Sequence, residues 1–128
     1  MTVGIVIVTH GATGGSLVEM AEFLLGESLA EIRFVPFRQS GDKTTTVDDV
    51  RNALAAANAG DGVLVLTDLI GASPSNLVAA QLEEYGAVMV TGVNLAMLMS
   101  VWNYRHQPLG SLARKAVESG RRSVKIFQ

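Results

Sequence analysis

The sequence contains no cysteine, and it has no excess of positive charge. The absence of cysteine excludes a disulfide framework, a thiol nucleophile and a thiolate metal site. Ten lysines and arginines stand against twelve aspartates and glutamates, so the formal net charge is −2 and no basic block could neutralise a phosphate backbone. We therefore expect neither structural disulfides nor a nucleic-acid partner.

Targeting signals are lacking as well. The first ten residues have no basic segment of the kind that opens a secretory signal peptide, so we expect a cytoplasmic protein. Residues 85–104 carry no formal charge and have the length of a membrane span, but Thr91, Gly92 and Asn94 interrupt them. The apolar spacing changes at that point from an extended run to a helical period, which predicts a strand, a turn and a buried helix.

Hydrophobic residues make up 48% of the sequence, and they form short runs that alternate with helical patterns. The predicted strands cover residues 3–8, 32–37, 62–66 and 87–90, and the predicted helices cover residues 16–25, 47–57, 74–85, 95–103 and 108–120. Residues 123–127 alternate apolar and polar side chains, which predicts a half-exposed edge strand. This order predicts a three-layer α/β fold with a mainly parallel sheet and a C-terminal edge strand. Without a linker, repeat or low-complexity tract, residues 1–128 are predicted to form a single domain.

The polar segment 38–46 lies between the second predicted strand and the second predicted helix. Its glycine and its three consecutive threonines indicate a loop that moves. At the end of this loop, Thr46 and Asp49 have the spacing of a capping box, with aspartate where glutamate or glutamine is preferred. We therefore predict that the helix over residues 47–57 begins directly after Thr46.

Two side chains able to carry chemistry follow predicted strands. His10 comes directly after the first strand, in a loop rich in glycine, and Asp68 follows the third. The carboxyl ends of strands are where α/β folds collect their catalytic groups. A histidine ring nitrogen could act there as nucleophile or base, and a neighbouring carboxylate would fix the tautomer and orientation of the ring. The structural alternatives are a histidine that satisfies a backbone carbonyl and an aspartate that caps its own turn.

A second feature near these residues could bind an anion. Gly71, Ala72 and Ser73 open the third predicted helix, with Ser73 expected as its N-cap and Pro74 at its first position. Backbone N–H groups and a hydroxyl at such a helix start could hold a phosphoryl group. We include Gly11, which follows His10, among the candidate phosphate-binding residues.

Nucleotide and metal binding are not expected. The loop after the first strand fits neither the Walker nor the dinucleotide-binding glycine pattern, and no lysine is placed to reach nucleotide phosphates. The two histidines lack a metal-ligand spacing, and His106 is predicted to be an exposed hinge residue between helices. The sequence therefore predicts no cofactor and no metal.

Several segments, in order along the chain, carry a family resemblance. They are T-H-G at 9–11, A-E-F-L-L-G-E at 21–27, T-D-L-I-G-A-S-P-S-N at 67–76, T-G-V-N-L-A-M-L at 91–98 and E-S-G-R-R-S-V-K-I at 118–126. Together they resemble enzyme IIA of the mannose-type sugar phosphotransferase system. Ala72, Ser75 and Ala96 depart from the family pattern, which has a second glycine, often an aromatic, and a proline at these places.

The resemblance implies a cytoplasmic phosphocarrier with a flavodoxin-like fold, usually a homodimer whose final strand exchanges between subunits. It implies that His10 accepts a phosphoryl group from the phosphocarrier HPr and passes it to a mannose-type enzyme IIB. It assigns Asp68 as the supporting aspartate and Ser73 as the serine of the phosphate-binding loop. Because nothing follows Gln128, we expect the acceptor to be a separate protein, with contact to a membrane permease peripheral at most.

Three other functions are compatible with a phosphorylated histidine. The chain could be a regulatory carrier or the phosphoryl-donor subunit of a dihydroxyacetone kinase, without a sugar permease. The more distant alternative is a histidine phosphatase, whose members resemble R-H-G with a second histidine across the pocket. Thr9 stands where that pattern has arginine, and His106 follows a predicted helix rather than a strand.

Overall fold

Strands and helices alternate along the residues that the structure, a computed structural model, describes, which are 1–39 and 44–128. The strands are β1 (Gly4–His10), β2 (Arg33–Phe37), β3 (Val63–Thr67) and β4 (Ala87–Val90). The helices are α1 (Thr13–Leu25), α2 (Val47–Ala57), α3 (Ser73–Ala79), α4 (Leu95–Asn103) and α5 (Leu109–Arg122). The uncharged segment at 85–104 thus contains the predicted strand, turn and helix.

The strands form one parallel sheet in the order β2-β1-β3-β4. Its register pairs Val8 of β1 with Thr67 of β3, and His10 of β1 with Phe37 of β2. The central strand β1 therefore ends between two neighbours whose own carboxyl ends lie at the same edge. The predicted α/β fold with a parallel sheet is confirmed.

Alternate side chains of the sheet enter two separate cores, which gives the fold its three layers. Ile5, Ile7, Leu64 and Leu66 are buried on one face with residues of α1, α4 and α5. The other face holds a second cluster with residues of α2 and α3. Its buried members are Val6, Val8, Val35, Val50, Leu54, Val63, Val65 and Val78. Burial on both faces explains why the central strands are apolar runs without alternation.

The first turn of α1 packs closely behind the end of β1. The backbone N–H of Gly14 donates to Oγ1 of the buried Thr9 over 2.7 Å. A Cβ atom on Gly14 would lie 2.9 Å from the ring of Phe34. Glycine is required there by this close approach, and α1 begins at Thr13 rather than near Ser16 as predicted.

Helices α2 and α3 begin differently. Thr46 and Asp49 form the predicted capping box at the start of α2. The prediction for α3 is wrong at both ends. Its N-cap is Ala72, which makes no side-chain capping hydrogen bond. The helix ends at Ala79, and residues 80–86 form turns with hydrogen bonds such as the one from the Tyr85 N–H to the Leu82 carbonyl.

The expected mobile loop at 38–46 lies partly outside the described residues. Thr45, on its described side, contacts the outer edge of β2. Its hydroxyl donates to the Pro36 carbonyl over 2.8 Å, and its backbone N–H donates to the Arg38 carbonyl over 2.8 Å. These bonds cover one end of that edge.

The prediction of an edge strand at residues 123–127 is wrong for the single chain. After α5, Ser123 and Val124 make short-range turn bonds to Ser119 and Arg121, and no strand is formed at residues 124–128. A strand needs a neighbour for its backbone N–H and carbonyl groups, and no strand among the described residues pairs with this segment. The tail therefore stays exposed, with Phe127 98% accessible.

Among the helices of the described residues, none combines the length and the apolar character that crossing a membrane requires.

Candidate functional site

His10 and Asp68 are in direct contact at the carboxyl ends of β1 and β3. The Nδ1 atom of His10 lies 2.8 Å from Oδ2 of Asp68. The backbone N–H of His10 donates to the same oxygen over 2.9 Å. The sheet order explains the meeting, because β3 is the direct neighbour of β1. The structure thus brings together the two side chains that the sequence singles out.

The carboxylate of Asp68 also caps its own turn. Its Oδ1 atom accepts a hydrogen bond from the backbone N–H of Leu69 over 3.0 Å. The sequence leaves two roles open for Asp68, capping its own turn and contacting the histidine, and the structure shows both. One oxygen fixes the turn after β3 while the other is directed at His10.

The electrostatics of the pair favour an ionised aspartate. Partial burial alone would raise the pKa of Asp68, but the hydrogen bonds from the backbone and ring of His10, and the charge that this ring carries when it is protonated, lower the pKa below its usual value. An ionised carboxylate only accepts hydrogen bonds, so the proton of the contact belongs to Nδ1 of His10. The lone pair of the neutral ring is then on Nε2. Since 53% of the His10 side chain is exposed, the ring is open to a reaction partner.

The predicted phosphate-binding residues lie at the same edge of the sheet. Gly71, with a φ of +78°, turns the chain between β3 and α3, and Ser73 is the first residue of α3. Gly11 follows His10 directly, with a φ of +47°. Within the described part of the chain, no hydrogen bond joins His10 to residues 71–73.

Sequence reasoning missed Phe37, at the end of β2. The rings of His10 and Phe37 meet edge to face, with their centroids 6.3 Å apart and their planes at 73°. A usable signal is present, since Phe37 ends the second predicted strand and His10 follows the first. The sequence did not show that β2 is the other neighbour of β1.

Two apolar side chains beside the site were also missed. Leu69 and Ile70 follow Asp68 directly and are 59% and 76% exposed. Apolar side chains this exposed often mark a surface that contacts another protein.

His106 lies at the opposite end of the sheet. Its Nδ1 atom is 3.1 Å from the hydroxyl of Thr2, which precedes β1, whereas His10 ends that strand. The prediction of an exposed position between two helices is confirmed. The two histidines cannot face one pocket, which is what a histidine phosphatase would need. Within residues 1–39 and 44–128, no cluster of three or more His, Asp or Glu side chains could hold a metal ion.

The fold and the site together define a flavodoxin-like α/β protein with a carboxylate-oriented histidine at the end of its central strand. The chain belongs to the mannose-type enzyme IIA family, described as the fructose IIA component of the phosphotransferase system, and the match covers residues 4–117. Proteins of this kind are phosphotransferases.

Curated relatives agree with this membership. The chain is 38% identical over 136 aligned residues to the mannose-specific EIIAB component of the phosphotransferase system of Escherichia coli K12, and equally similar to that of Shigella flexneri. The alignment covers 100% of this chain and 40% of each relative. The chain thus spans well under half the length of these relatives.

Solved structures show the same fold. The mannose/sorbose-specific IIA subunit from Enterococcus faecalis superposes with a TM-score of 0.82 at 23% identity, over 100% of this chain and 96% of that one. The EIIA component from Streptococcus agalactiae gives a TM-score of 0.81 at 27% identity, over 98% and 97% of the two chains.

Proposed function

We propose that this chain is a phosphocarrier that accepts a phosphoryl group from phosphorylated HPr on His10 and passes it to a mannose-type enzyme IIB for sugar uptake. The observation that carries the proposal is the contact between Nδ1 of His10 and Oδ2 of Asp68, in a chain of the enzyme IIA family. The names of the curated relatives, which are mannose-specific, support a sugar of that class.

In the proposed reaction, Nε2 of His10 attacks the phosphorus of the donor phosphohistidine. The bond from phosphorus to the donor ring breaks as the new bond to Nε2 forms, and the electron pair returns to the donor ring. The positive charge that develops on the His10 ring is stabilised by the carboxylate of Asp68, which retains the hydrogen bond from Nδ1. In the second step an imidazole nitrogen of the acceptor attacks the phosphorus, the bond from phosphorus to Nε2 of His10 breaks, and the electron pair returns to the His10 ring.

Catalysis in such a transfer depends on the orientation of the attacking nitrogen and on hydrogen-bond donors around the phosphoryl oxygens. We propose that Asp68 orients the nitrogen and that Gly11, Gly71, Ala72 and Ser73 bind the phosphoryl oxygens. The hydroxyl of Ser73 makes no hydrogen bond to another described residue, which leaves it free for a phosphoryl oxygen. We expect the transfer to need neither ATP nor a metal bound by this chain.

The exposed side chains of Leu69 and Ile70 support docking of a protein donor and acceptor at this edge of the sheet. Both follow Asp68 directly in sequence, and Asp68 contacts His10, so a protein docked on them would lie at the same end of the sheet as His10.

A homodimer is a further part of the proposal. It is supported by the exposed apolar tail after α5 and by an apolar groove of about 780 Å³ between β4 and α5, with Val88, Ala113 and Val117 in its lining. A tail that finds no strand in its own chain could pair with the β4 edge of a second copy.

Phosphoryl uptake from phosphorylated HPr tests the function directly. Mass spectrometry under alkaline conditions, which preserve phosphohistidine, should find the modification on His10 and nowhere else. His106→Ala is the matched control, because it removes the other histidine at the far end of the sheet. A His10→Ala protein that still took up phosphate would refute the proposal, and subsequent incubation with candidate IIB proteins should remove the phosphate from the wild type.

A further inference from the structure

We propose that Phe37 is a positioning residue for His10, one that fixes the plane of the imidazole while Asp68 fixes its tautomer. The inference rests on the proposed function, because it concerns the aim of the nitrogen that would receive the phosphoryl group. Phe37 makes this contact from the end of β2, whereas Asp68 makes its contact from the turn directly after β3.

The backbone holds Phe37 in place beside His10. The two residues are directly paired across the parallel strands, so their side chains leave the sheet on the same face. The backbone N–H of Gly11 donates to the carbonyl of Phe37 over 3.1 Å, which extends the pairing one residue past the end of β1. The position of the phenyl ring relative to His10 is therefore set by the sheet.

The hydrogen bond to Asp68 leaves one freedom of the imidazole unrestrained. A single contact at Nδ1 fixes the distance of that atom from Oδ2, but the ring can still tilt about the contact. With 53% of the His10 side chain exposed, solvent does not prevent such a tilt. A ring packed at 73° to the imidazole opposes it, because tilting would break the edge-to-face contact.

The direction of the Nε2 lone pair depends on the plane of the ring. In-line transfer requires the nitrogen, the phosphorus and the leaving nitrogen to lie close to one line. Phe37 also borders the groove that Ser73 and Asn76 line at the start of α3. The phenyl ring therefore contacts the imidazole of His10, and Phe37 lines the same groove as the predicted phosphate-binding residue Ser73.

The test compares Phe37→Ala, Phe37→Leu and Phe37→Tyr with the wild type. We expect Phe37→Ala to lower the transfer rate at saturating phosphorylated HPr by about 10-fold, with little change in the HPr concentration for half-maximal rate. Phe37→Tyr keeps the aromatic ring and should restore the rate, whereas Phe37→Leu keeps apolar volume without a ring and should not. Tyr104→Ala, which removes an exposed aromatic ring two residues before His106 in the sequence, is the matched control and should behave as the wild type.

Carbon relaxation NMR of the imidazole C–H bonds in the unphosphorylated protein gives a readout independent of any partner. The wild type should show the high order parameters of a fixed ring, and Phe37→Ala should lower them as the ring gains freedom to tilt, while Asp68 still fixes the tautomer. Unchanged order parameters and an unchanged saturating rate in Phe37→Ala would overturn the inference. A change confined to the half-saturating HPr concentration would also overturn it, because Phe37 would then be a docking contact.

Failure of the proposed function has a different signature. In that case the wild type would take up no phosphate from HPr, while the ring order parameters of the Phe37 variants would still report on positioning. Phe37→Leu and Phe37→Tyr keep the test decisive if Phe37→Ala does not fold.

Discussion

The two carboxylate oxygens of Asp68 restrain different parts of the site. Oδ2 accepts hydrogen bonds from the ring and the backbone of His10, so it fixes both the imidazole and the chain that carries it. Oδ1 accepts from Leu69 and holds the turn that leads to α3. Loss of this one side chain would therefore misalign the histidine and loosen the turn.

We expect Asp68→Ala to keep the fold and to slow phosphoryl transfer by about 100-fold, because a misaimed nucleophile loses about two orders of magnitude in rate. Ser73→Ala should slow transfer less, since it removes only one donor to the phosphoryl group. Rapid-quench kinetics with phosphorylated HPr measure both rates, and circular dichroism checks the fold. Equal rates in the wild type and Asp68→Ala would show that the contact is only structural.

The lowered pKa of Asp68 also predicts how stability depends on pH. A carboxyl whose pKa is lower in the folded state stabilises the protein fully above its unfolded pKa, and this contribution is lost as the pH falls through the folded pKa. The difference in free energy of unfolding between the wild type and Asp68→Asn should therefore have its full value just above about pH 4 and should shrink below it. Denaturant titrations across this range measure the difference, and one that stays constant in stronger acid would contradict the prediction.

At the scale of single elements, helix starts differ in how well the sequence predicts them. The capping box of α2 could be predicted because its two partners lie three residues apart in one local segment. The start of α1 could not be predicted, because Gly14 and Gly15 have the local pattern of a loop. Both glycines allow α1 to pack closely against the ring of Phe34, which is distant in sequence.

The end of α3 shows a different limit of local patterns. Apolar residues continue at helical spacing to Leu82 and Tyr85, but the chain after Ala79 makes turns with bonds between residues three apart. Such turns and an α-helix both return side chains to one face every three or four residues, so the pattern cannot separate them. The contact of Phe37 with His10 was unpredictable for a related reason, since it depends on which strands are neighbours.

The capping box of α2 yields a stability prediction. Thr46→Ala removes the side chain that accepts from the backbone N–H of Asp49 and should lower the free energy of unfolding by about 1 kcal/mol. Thr13→Ala is the matched control, because Thr13 opens α1 without acting as a cap, and it should change the free energy by less than about 0.5 kcal/mol. Urea titration of the purified proteins measures both values. Equal losses in the two variants would contradict a specific role for the cap.

At the scale of the whole molecule, the two edges of the sheet are protected unequally. On the β2 side, Pro36 has no N–H to offer and its carbonyl accepts from Thr45. Arg38, just beyond β2, exchanges hydrogen bonds with Thr45 through both its N–H and its carbonyl. On the β4 side, Ala87–Val90 pairs with β3 along one edge, and no strand of the described residues pairs with its outer edge. An open parallel edge of this kind invites a further strand.

The unprotected edge and the exposed tail together predict a dimer in which the tail of each chain pairs with the other chain. Val124, Ile126 and Phe127 are 77%, 87% and 98% exposed, which is unfavourable for three apolar side chains unless another surface covers them.

Because α5 continues to Arg122, deletion of residues 124–128 leaves that helix intact. The deletion should give a monomer with a lower free energy of unfolding, whereas Lys125→Ala, which keeps the apolar side chains, should remain dimeric. Light scattering of the full chain should give twice 13.5 kDa at micromolar concentrations. A full chain that stays at 13.5 kDa would exclude the exchanged tail and would leave the proposed chemistry of His10 unaffected, because the contact with Asp68 lies within one chain.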